Sequence, residues 1–161
     1  MPIHVRRKDK EITDPFTLKR ILAKAKYLTI ALCKNDEPYL VTLSYGYDED
    51  KNCLFFHCAQ EGKKLDFMKT NSEVWGQAIL DYGYQEPDCD HHYASVHFKG
   101  RVSIINDIDD KRAAIDCMIR RLNKNPEPLI AKLKTERLHN TVLGRIDVEY
   151  MTGKKTPNIN V

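Results

Sequence analysis

Six segments of the chain carry apolar side chains in the alternating or continuous runs that are typical of β-strands, and most of their connections are short. In the first segment Leu28, Ile30 and Leu32 fall on one face. Turns at 35–38 and 48–52 join the first three segments, which predicts an antiparallel meander. Strands this apolar need an enclosed interior, so a small antiparallel barrel is expected. The predicted strands cover 27–34, 39–47, 53–59, 74–82, 93–105 and 142–150.

Segments with helical periodicity lie before and between the predicted strands. Asp14 and Pro15 are typical of a helix start, and Pro126 ends a later helix. Gly100 lies inside the fifth strand and predicts a bulge there. We therefore expect a mainly β fold with flanking helices in a single domain, and the polar tail from Gly153 is expected to be loosely held. The predicted helices cover 13–25, 62–70, 107–123 and 127–138, and a loop is predicted over 83–92.

Composition narrows the class of protein. The 161 residues are 42% hydrophobic and 30% charged, which is typical of one soluble globular domain. The formal net charge is only +3 with both signs mixed, so a nucleic-acid partner is not expected. No apolar run approaches a membrane span and the N-terminus lacks the apolar core of a signal peptide, so a cytoplasmic protein is expected. The 5 cysteines form no CxxC pair, which favours reduced thiols.

Residues 53–71 hold a candidate anion site. An apolar strand runs into Gln60-Glu61-Gly62, and Lys63 and Lys64 then begin an amphipathic helix. The first N–H groups of a helix lack intrahelical partners and its dipole is positive there, so this junction can hold a phosphate. It is not a P-loop, because GxxxxGK[ST] is absent. From these residues alone, two lysines on a solvated surface are the favoured interpretation.

Other polar residues leave alternatives open. His57 shares a strand face with Cys53 and Phe55, and it is either a core histidine or a proton donor. The run at 89–92, CDHH, is spaced too tightly for one tetrahedral ion, so a polar loop and no metal site are expected. The basic residues of the third helix are interpreted as a solvated face; they are Lys111, Arg112, Arg120 and Arg121.

Several motifs occur in an order that carries a family resemblance. They are RRKDKEI at 6–12, PYLVTLSYGY at 38–47, FHCAQEGKKL at 56–65, Ser95-Val96 with Gly100-Arg101, and TGKK at 152–155. In this order they resemble the FMN-binding split-barrel family related to pyridoxamine 5′-phosphate oxidase, and in particular its nitroimidazole-resistance branch. The resemblance implies a six-stranded antiparallel split barrel that forms a homodimer, with FMN bound at the subunit interface.

The resemblance also implies site residues. The strand around Thr42 would lie along the isoalloxazine ring, His57 would act as the catalytic residue beside it, and the phosphate would lie against Gly62. Gln77 would meet the pyrimidine edge, and Ser95 would complete the pocket from either subunit. The full implied cofactor set is Val41, Thr42, Leu43, Ser44, His57, Cys58, Gly62, Lys63, Lys64, Gln77, Ser95 and Val96.

The implied activity is an FMN-dependent oxidoreductase that passes electrons from a reduced donor, such as a nicotinamide, to a small planar acceptor such as a nitroaromatic compound. No GxGxxG motif is present, so a nicotinamide would bind transiently over the flavin. The family's C-terminal tryptophan and arginine are missing, since the only tryptophan is Trp75, and pyridoxamine phosphate oxidation is not expected. The alternatives are a non-catalytic flavin or small-molecule binder and a split barrel for haem or a deazaflavin, with His57 or His97 as haem ligand.

Overall fold

The computed structural model describes residues 5–161, apart from the side chain of Asp88. Residues 1–4, which belong to the predicted single domain 1–161, lie outside the described part. The helices are α1 (Pro15–Lys24), α2 (Lys63–Thr70), α3 (Ile108–Leu122), α4 (Glu127–Ala131) and α5 (Thr135–His139). The strands are β1 (Leu28–Lys34), β2 (Glu37–Leu43), β3 (Gly46–Asp48), β4 (Cys53–Cys58), β5 (Glu73–Gln85), β6 (Asp90–Ile105) and β7 (Val142–Lys155).

All seven strands form one antiparallel sheet in the order β2-β1-β5-β6-β7-β4-β3. The two edge strands, β2 and β3, follow each other in the chain with only Ser44 and Tyr45 between them. The three Cα–Cα steps from Leu43 to Gly46 span at most about 11 Å, so the sheet must curl until its two edges approach each other. The result is a split barrel, which confirms the expected mainly β fold with flanking helices.

The predicted strand 39–47 is wrong as a single element, because it divides at Ser44 and Tyr45. Its first part pairs with β1, and its second part pairs with β4. The pairings of the expected meander are confirmed, since the divided middle strand contacts both its neighbours, but the division places β1 and β4 in different parts of the sheet. The alternation of side chains continues across the break, with Leu43 and Tyr45 both buried.

Tyr45 and Arg121 stabilise the break between β2 and β3, which is the split of the barrel. Tyr45 is fully buried, and its hydroxyl donates to the carbonyl of Leu22 at 2.5 Å. The Arg121 guanidinium lies 3.8 Å from the centre of the Tyr45 ring and donates to the carbonyls of Tyr45, Leu22 and Ala25. Two of those carbonyls belong to the end of α1, where helical carbonyls lack intrahelical partners. Arg121 therefore connects α3, α1 and the split.

The sheet extends further than the sequence indicates. The predicted loop 83–92 is instead the end of a β5–β6 hairpin, in which Tyr84 pairs with His91. The predicted loose tail is wrong from Gly153 to Lys155, because these residues belong to β7, and Thr156 is buried. The predicted bulge at Gly100 is confirmed by a register shift against β7, where a side chain at this position would collide with the Asp147 carbonyl. Helix 127–138 is two short helices.

The barrel interior and two helices form the main core. Ile30, Phe56 and Phe98 point inward from three strands, and Leu22 of α1 and Phe67 of α2 pack against them. A smaller cluster on the outside of β4 packs against α3 through Met118. Burial of each such side chain contributes about 1.5–3 kcal/mol. Among the described residues, no helix has the length and apolar content needed to cross a lipid bilayer.

Candidate functional site

The junction between β4 and α2 has the geometry of an open anion site. Gly62 adopts a φ of 140°, a backbone conformation that side-chain-bearing residues rarely adopt, and no side chain caps the α2 N-terminus. A Cβ at Gly62 would meet nothing within 4 Å, so a ligand can approach the backbone closely. α2 then begins at Lys63, as predicted, and its buried face of Leu65, Phe67 and Met68 fixes its orientation.

An open cleft of about 530 Å³ lies at this junction. Besides Gly62 it is lined by Lys63, Lys34 and four further residues, namely Asn35, Glu37, Asp66 and Phe67. Lys63 Nζ lies 2.7 Å from Glu37 Oε1, and Lys34 Nζ lies 2.5 Å from Asp66 Oδ2. The structure thus brings together the predicted Gly62 and Lys63 and adds Lys34, which the sequence did not single out. The predicted Lys64 lies apart, with its ammonium 6.0 Å from the centre of the Phe56 ring.

A polar row crosses the outer face of the sheet. The register places Thr42, Thr29, Gln77 and His97 side by side on β2, β1, β5 and β6. The hydroxyls of Thr42 and Thr29 are 3.2 Å apart, and Gln77 Nε2 lies 2.7 Å from His97 Nε2. Burial, and then the charge of Lys154, lower the pKa of His97, which favours its neutral form. The sequence analysis named Thr42 and Gln77 as cofactor-binding residues but missed Thr29. Strand alternation does place the Thr29 side chain on the face opposite to that of the buried Ile30.

The other predicted cofactor-binding residues of these strands differ in the direction of their side chains. Ser95 and Gln77 share a shallow cavity of about 310 Å³ with Ile79, Asp81, His91 and Tyr93. The side chains of Val96 and Leu43 are buried in the core, so only their main chains can contact a ligand on this face. Val41 also packs against the core, whereas the Thr42 and Ser44 side chains are exposed.

His57 lies in a different cavity from the anion cleft and from Gln77. It is exposed on the outer side of β4 and lines a cavity formed mostly by α3, α4 and α5. The core-histidine interpretation is therefore wrong. Cys58 is half-buried on the opposite side of β4, where burial raises the pKa of its thiol.

The loop around His91 has no metal-site geometry. Among the described side chains, which leave out that of Asp88, no three from His, Cys, Asp or Glu are close enough to ligate one ion. His91 Nε2 instead lies 3.0 Å from Asp81 Oδ1. A hydrogen bond from the Gly83 N–H, together with His91, lowers the pKa of Asp81.

Comparison with known proteins places this geometry in a family. The family model for pyridoxamine 5′-phosphate oxidase matches residues 14–155. No curated protein sequence matches the chain significantly.

Solved structures share the fold at low sequence identity. A candidate 5-nitroimidazole antibiotic resistance protein from Bacteroides thetaiotaomicron is 24% identical with a TM-score of 0.79, covering 89% of this chain and 85% of that one. The flavocytochrome Anf3 from Azotobacter vinelandii is 15% identical with a TM-score of 0.81, covering 98% and 75%. An FAD- and haem-binding protein from Mycobacterium smegmatis is 16% identical with a TM-score of 0.78, covering 94% and 76%.

Proposed function

We propose, from the fact that the chain belongs to the pyridoxamine 5′-phosphate oxidase family, that it is a flavoprotein with FMN as its cofactor. Its activity would be the transfer of electrons from a reduced donor, such as a nicotinamide, to a small planar acceptor such as a nitroaromatic compound. A bound flavin supplies the hydride and electron chemistry. The residues of this chain would bind and orient it and control access to it.

The observation that carries the proposal is the uncapped start of α2 in a cleft with Lys63 and Lys34. A phosphate there would accept hydrogen bonds from the backbone N–H groups and from the two ammonium groups. Asp66 opposes an anion through its pair with Lys34, and Glu37 opposes it through its pair with Lys63. The Glu37–Lys63 pair is 61% and 52% exposed, and surface pairs contribute about 0–1 kcal/mol. Hydrogen bonds to a charged group contribute about 1.5–3 kcal/mol each, so a phosphate can displace Glu37.

The rest of the cofactor would extend along the strand from Val41 to Ser44, where the barrel splits. The exposed Thr42 and Ser44 side chains and the main chain of Leu43 supply polar contacts there. Gln77 offers both a donor and an acceptor for the pyrimidine edge. Lys64 would contribute positive charge at the same helix end.

Homodimerisation is part of the proposal. Leu40 and Ile79 are 67% and 48% exposed on the outer face that carries the polar row. A second copy packed on this face would bury both, and its Ser95 and the main chain of Val96 would then face the flavin. Large exposed apolar side chains grouped on one face are typical of interaction sites.

His57 is the candidate proton donor to a reduced acceptor. It projects outward one residue before Cys58, at the end of β4 that leads into the phosphate cleft. Within residues 5–161 its ring has no hydrogen-bond partner, so both ring nitrogens are available to a ligand. An imidazole can exchange protons near neutral pH, which suits this role.

The first experiment is the absorption spectrum of the purified protein after FMN addition and desalting. Retained yellow absorbance is expected, and a colourless protein would refute the proposal.

The Lys63→Ala, Lys64→Ala double variant is expected to lose most of its flavin, because charge-assisted phosphate contacts disappear. The matched control is Lys24→Ala, Lys69→Ala, which removes two lysines from the last turns of α1 and α2. Equal flavin retention in both double variants would contradict the phosphate assignment.

The dimer is tested by light scattering, with an expected mass of about twice the 18.7 kDa of the chain. Leu40→Asp is expected to give monomers, because it places a charge in the apolar interface. Phe16→Asp is the control, since Phe16 is equally exposed but lies on α1. A monomeric wild-type protein at micromolar concentration would refute the shared site.

Haem binding is a second candidate function, favoured by His97 on the outer face of β6. Two structural relatives are described as a flavocytochrome and as an FAD- and haem-binding protein. The His97 side chain is accessible on the surface, and desolvation by its neighbours lowers its pKa, so a neutral imidazole is available as an axial ligand. A Soret band that disappears in His97→Ala would establish haem as the ligand, and bound flavin without turnover of any donor would establish a non-catalytic binder.

A further inference from the structure

α3 carries an apolar stripe that the barrel covers only in part. Met118 is buried against β4, whereas Ile115, Ile119 and Leu122 continue the stripe at helical spacing. The short helices α4 and α5 and the segment between them lie over the remainder and contribute Leu129, Leu133 and Leu138. Between them remains a cavity of about 310 Å³, the lower end of the range for small-molecule sites.

Polar contacts fasten this cover to α3, in addition to the buried Leu138 side chain. Lys111 Nζ donates to the carbonyls of Leu138 at 3.2 Å and Thr141 at 2.9 Å. Arg112 donates to the Leu133 carbonyl at 3.4 Å and to Thr135 Oγ1 at 2.9 Å. These bonds hold α5 and the segments on either side of it in place, and Leu129 and Leu133 line the unfilled space beneath.

The polar part of the cavity lining is basic. Its polar residues are His57, Arg137, Asn123 and Thr141, with no aspartate or glutamate among the lining residues. In the described part of the chain, the Arg137 guanidinium has no hydrogen-bond or ion-pair partner, and neither has the His57 ring. Leu129 and Leu122 remain 45% and 46% exposed beside these groups. An apolar ligand with one negative charge would satisfy both the walls and the guanidinium.

We propose that this cavity binds a small apolar carboxylate, with its hydrocarbon part among Ile119, Leu129 and Leu133 and its carboxylate on Arg137. A guanidinium can donate two parallel hydrogen bonds to one carboxylate, which fixes the orientation of the ligand. His57 supplies a further donor from the β4 wall. The cavity shares no lining residue with the phosphate cleft, and His57 is the one residue that both proposals use.

The test uses decanoate, below its micelle-forming concentration, as the probe in isothermal titration calorimetry. Saturable binding of one decanoate per chain is expected, with 1-decanol at least tenfold weaker. Arg137→Gln should weaken decanoate binding about tenfold or more while leaving 1-decanol unchanged, because only the charged contact is lost. The matched control is Lys132→Gln, which removes a nearby exposed positive charge that does not line the cavity.

A second variant tests the apolar wall. Leu129→Asp places a carboxylate at the exposed mouth, where the fold tolerates it, and is expected to abolish decanoate binding by repulsion and lost apolar contact. No saturable binding to the wild-type protein, equal affinity for decanoate and 1-decanol, or equal effects of Arg137→Gln and Lys132→Gln would each overturn the proposal. Flavin absorbance recorded on the same samples separates this outcome from that of the flavin proposal.

Discussion

Replacement of Arg121 tests whether one side chain stabilises the split of the barrel. Its guanidinium donates to the carbonyl of Tyr45 at 3.0 Å, to that of Leu22 at 3.3 Å and to that of Ala25. Arg121→Ala removes these bonds and the contact with the Tyr45 ring. The Tyr45 hydroxyl remains 2.5 Å from the Leu22 carbonyl and 3.3 Å from the Ala25 carbonyl, so the Tyr45 carbonyl is the one that loses its side-chain donor outright.

The expected cost follows from these contacts. Three hydrogen bonds at about 1 kcal/mol each and a cation–π contact of about 1 kcal/mol give a gross contribution of about 4 kcal/mol. Arg121 Nε is buried without a partner, which offsets part of that sum. We expect a net loss of about 3 kcal/mol in the free energy of unfolding. That is a large fraction of the total stability of a typical domain.

Urea denaturation followed by far-UV circular dichroism measures this loss at a fixed protein concentration. With an m-value of about 2 kcal/mol/M, the midpoint should fall by about 1.5 M. Arg120→Ala is the matched control, because Arg120 is exposed and its ion pairs with Asp116 and Glu127 lie at the surface, so its midpoint should stay unchanged. Equal midpoints for the two variants would refute the stabilising role of Arg121.

Two further predictions concern the core. Gly144→Ala should destabilise the protein by at least about 3 kcal/mol, since its Cβ would collide with the Phe56 ring. Gly83→Ala is the control and should cost only about 1 kcal/mol, because Gly83 has a φ of 86° and open space around it. Equal urea midpoints for the two variants would contradict this prediction. Burial raises the pKa of Cys53 to about 11, so its stabilising effect is complete below pH 9 and is lost as the pH rises towards 11. The fall in urea midpoint between pH 8 and pH 10 should therefore be smaller in Cys53→Ala than in the exposed-thiol control Cys33→Ala.

Side-chain direction could be predicted from the sequence, but hydrogen-bond partners could not. The alternation of Leu28, Ile30 and Leu32 correctly indicated side chains that share one face of a strand, and all three lie in the core. A period of two reports the face of each side chain, and it contains no information on which neighbouring strand accepts the backbone bonds. The switch from β1 to β4 at Ser44 therefore left no trace in the pattern.

The contacts of charged residues were harder to predict from the sequence, because they too depend on which elements become neighbours. Arg121 was interpreted as part of a solvated face, although it is the residue whose guanidinium holds the end of α1. Helical periodicity identifies the exposed side of an isolated helix, but α1 and the split cover part of that side of α3. At the candidate site, Gly62 and Lys63 are adjacent in the sequence, so they could be grouped without the structure. Lys34 joins them only through tertiary structure.

The position of β7 between β6 and β4 has a consequence for how the chain folds. β1 and β2, and likewise β5 and β6, form hairpins from nearby residues, and these can pair early. β4 finds its principal partner only in β7, where Cys53 pairs with Asp147, so this half of the barrel waits for the last strand to be synthesised. Pairings between distant segments slow folding and leave strand edges exposed in the meantime. During synthesis, the β3–β4 hairpin is therefore the segment most in need of protection from aggregation.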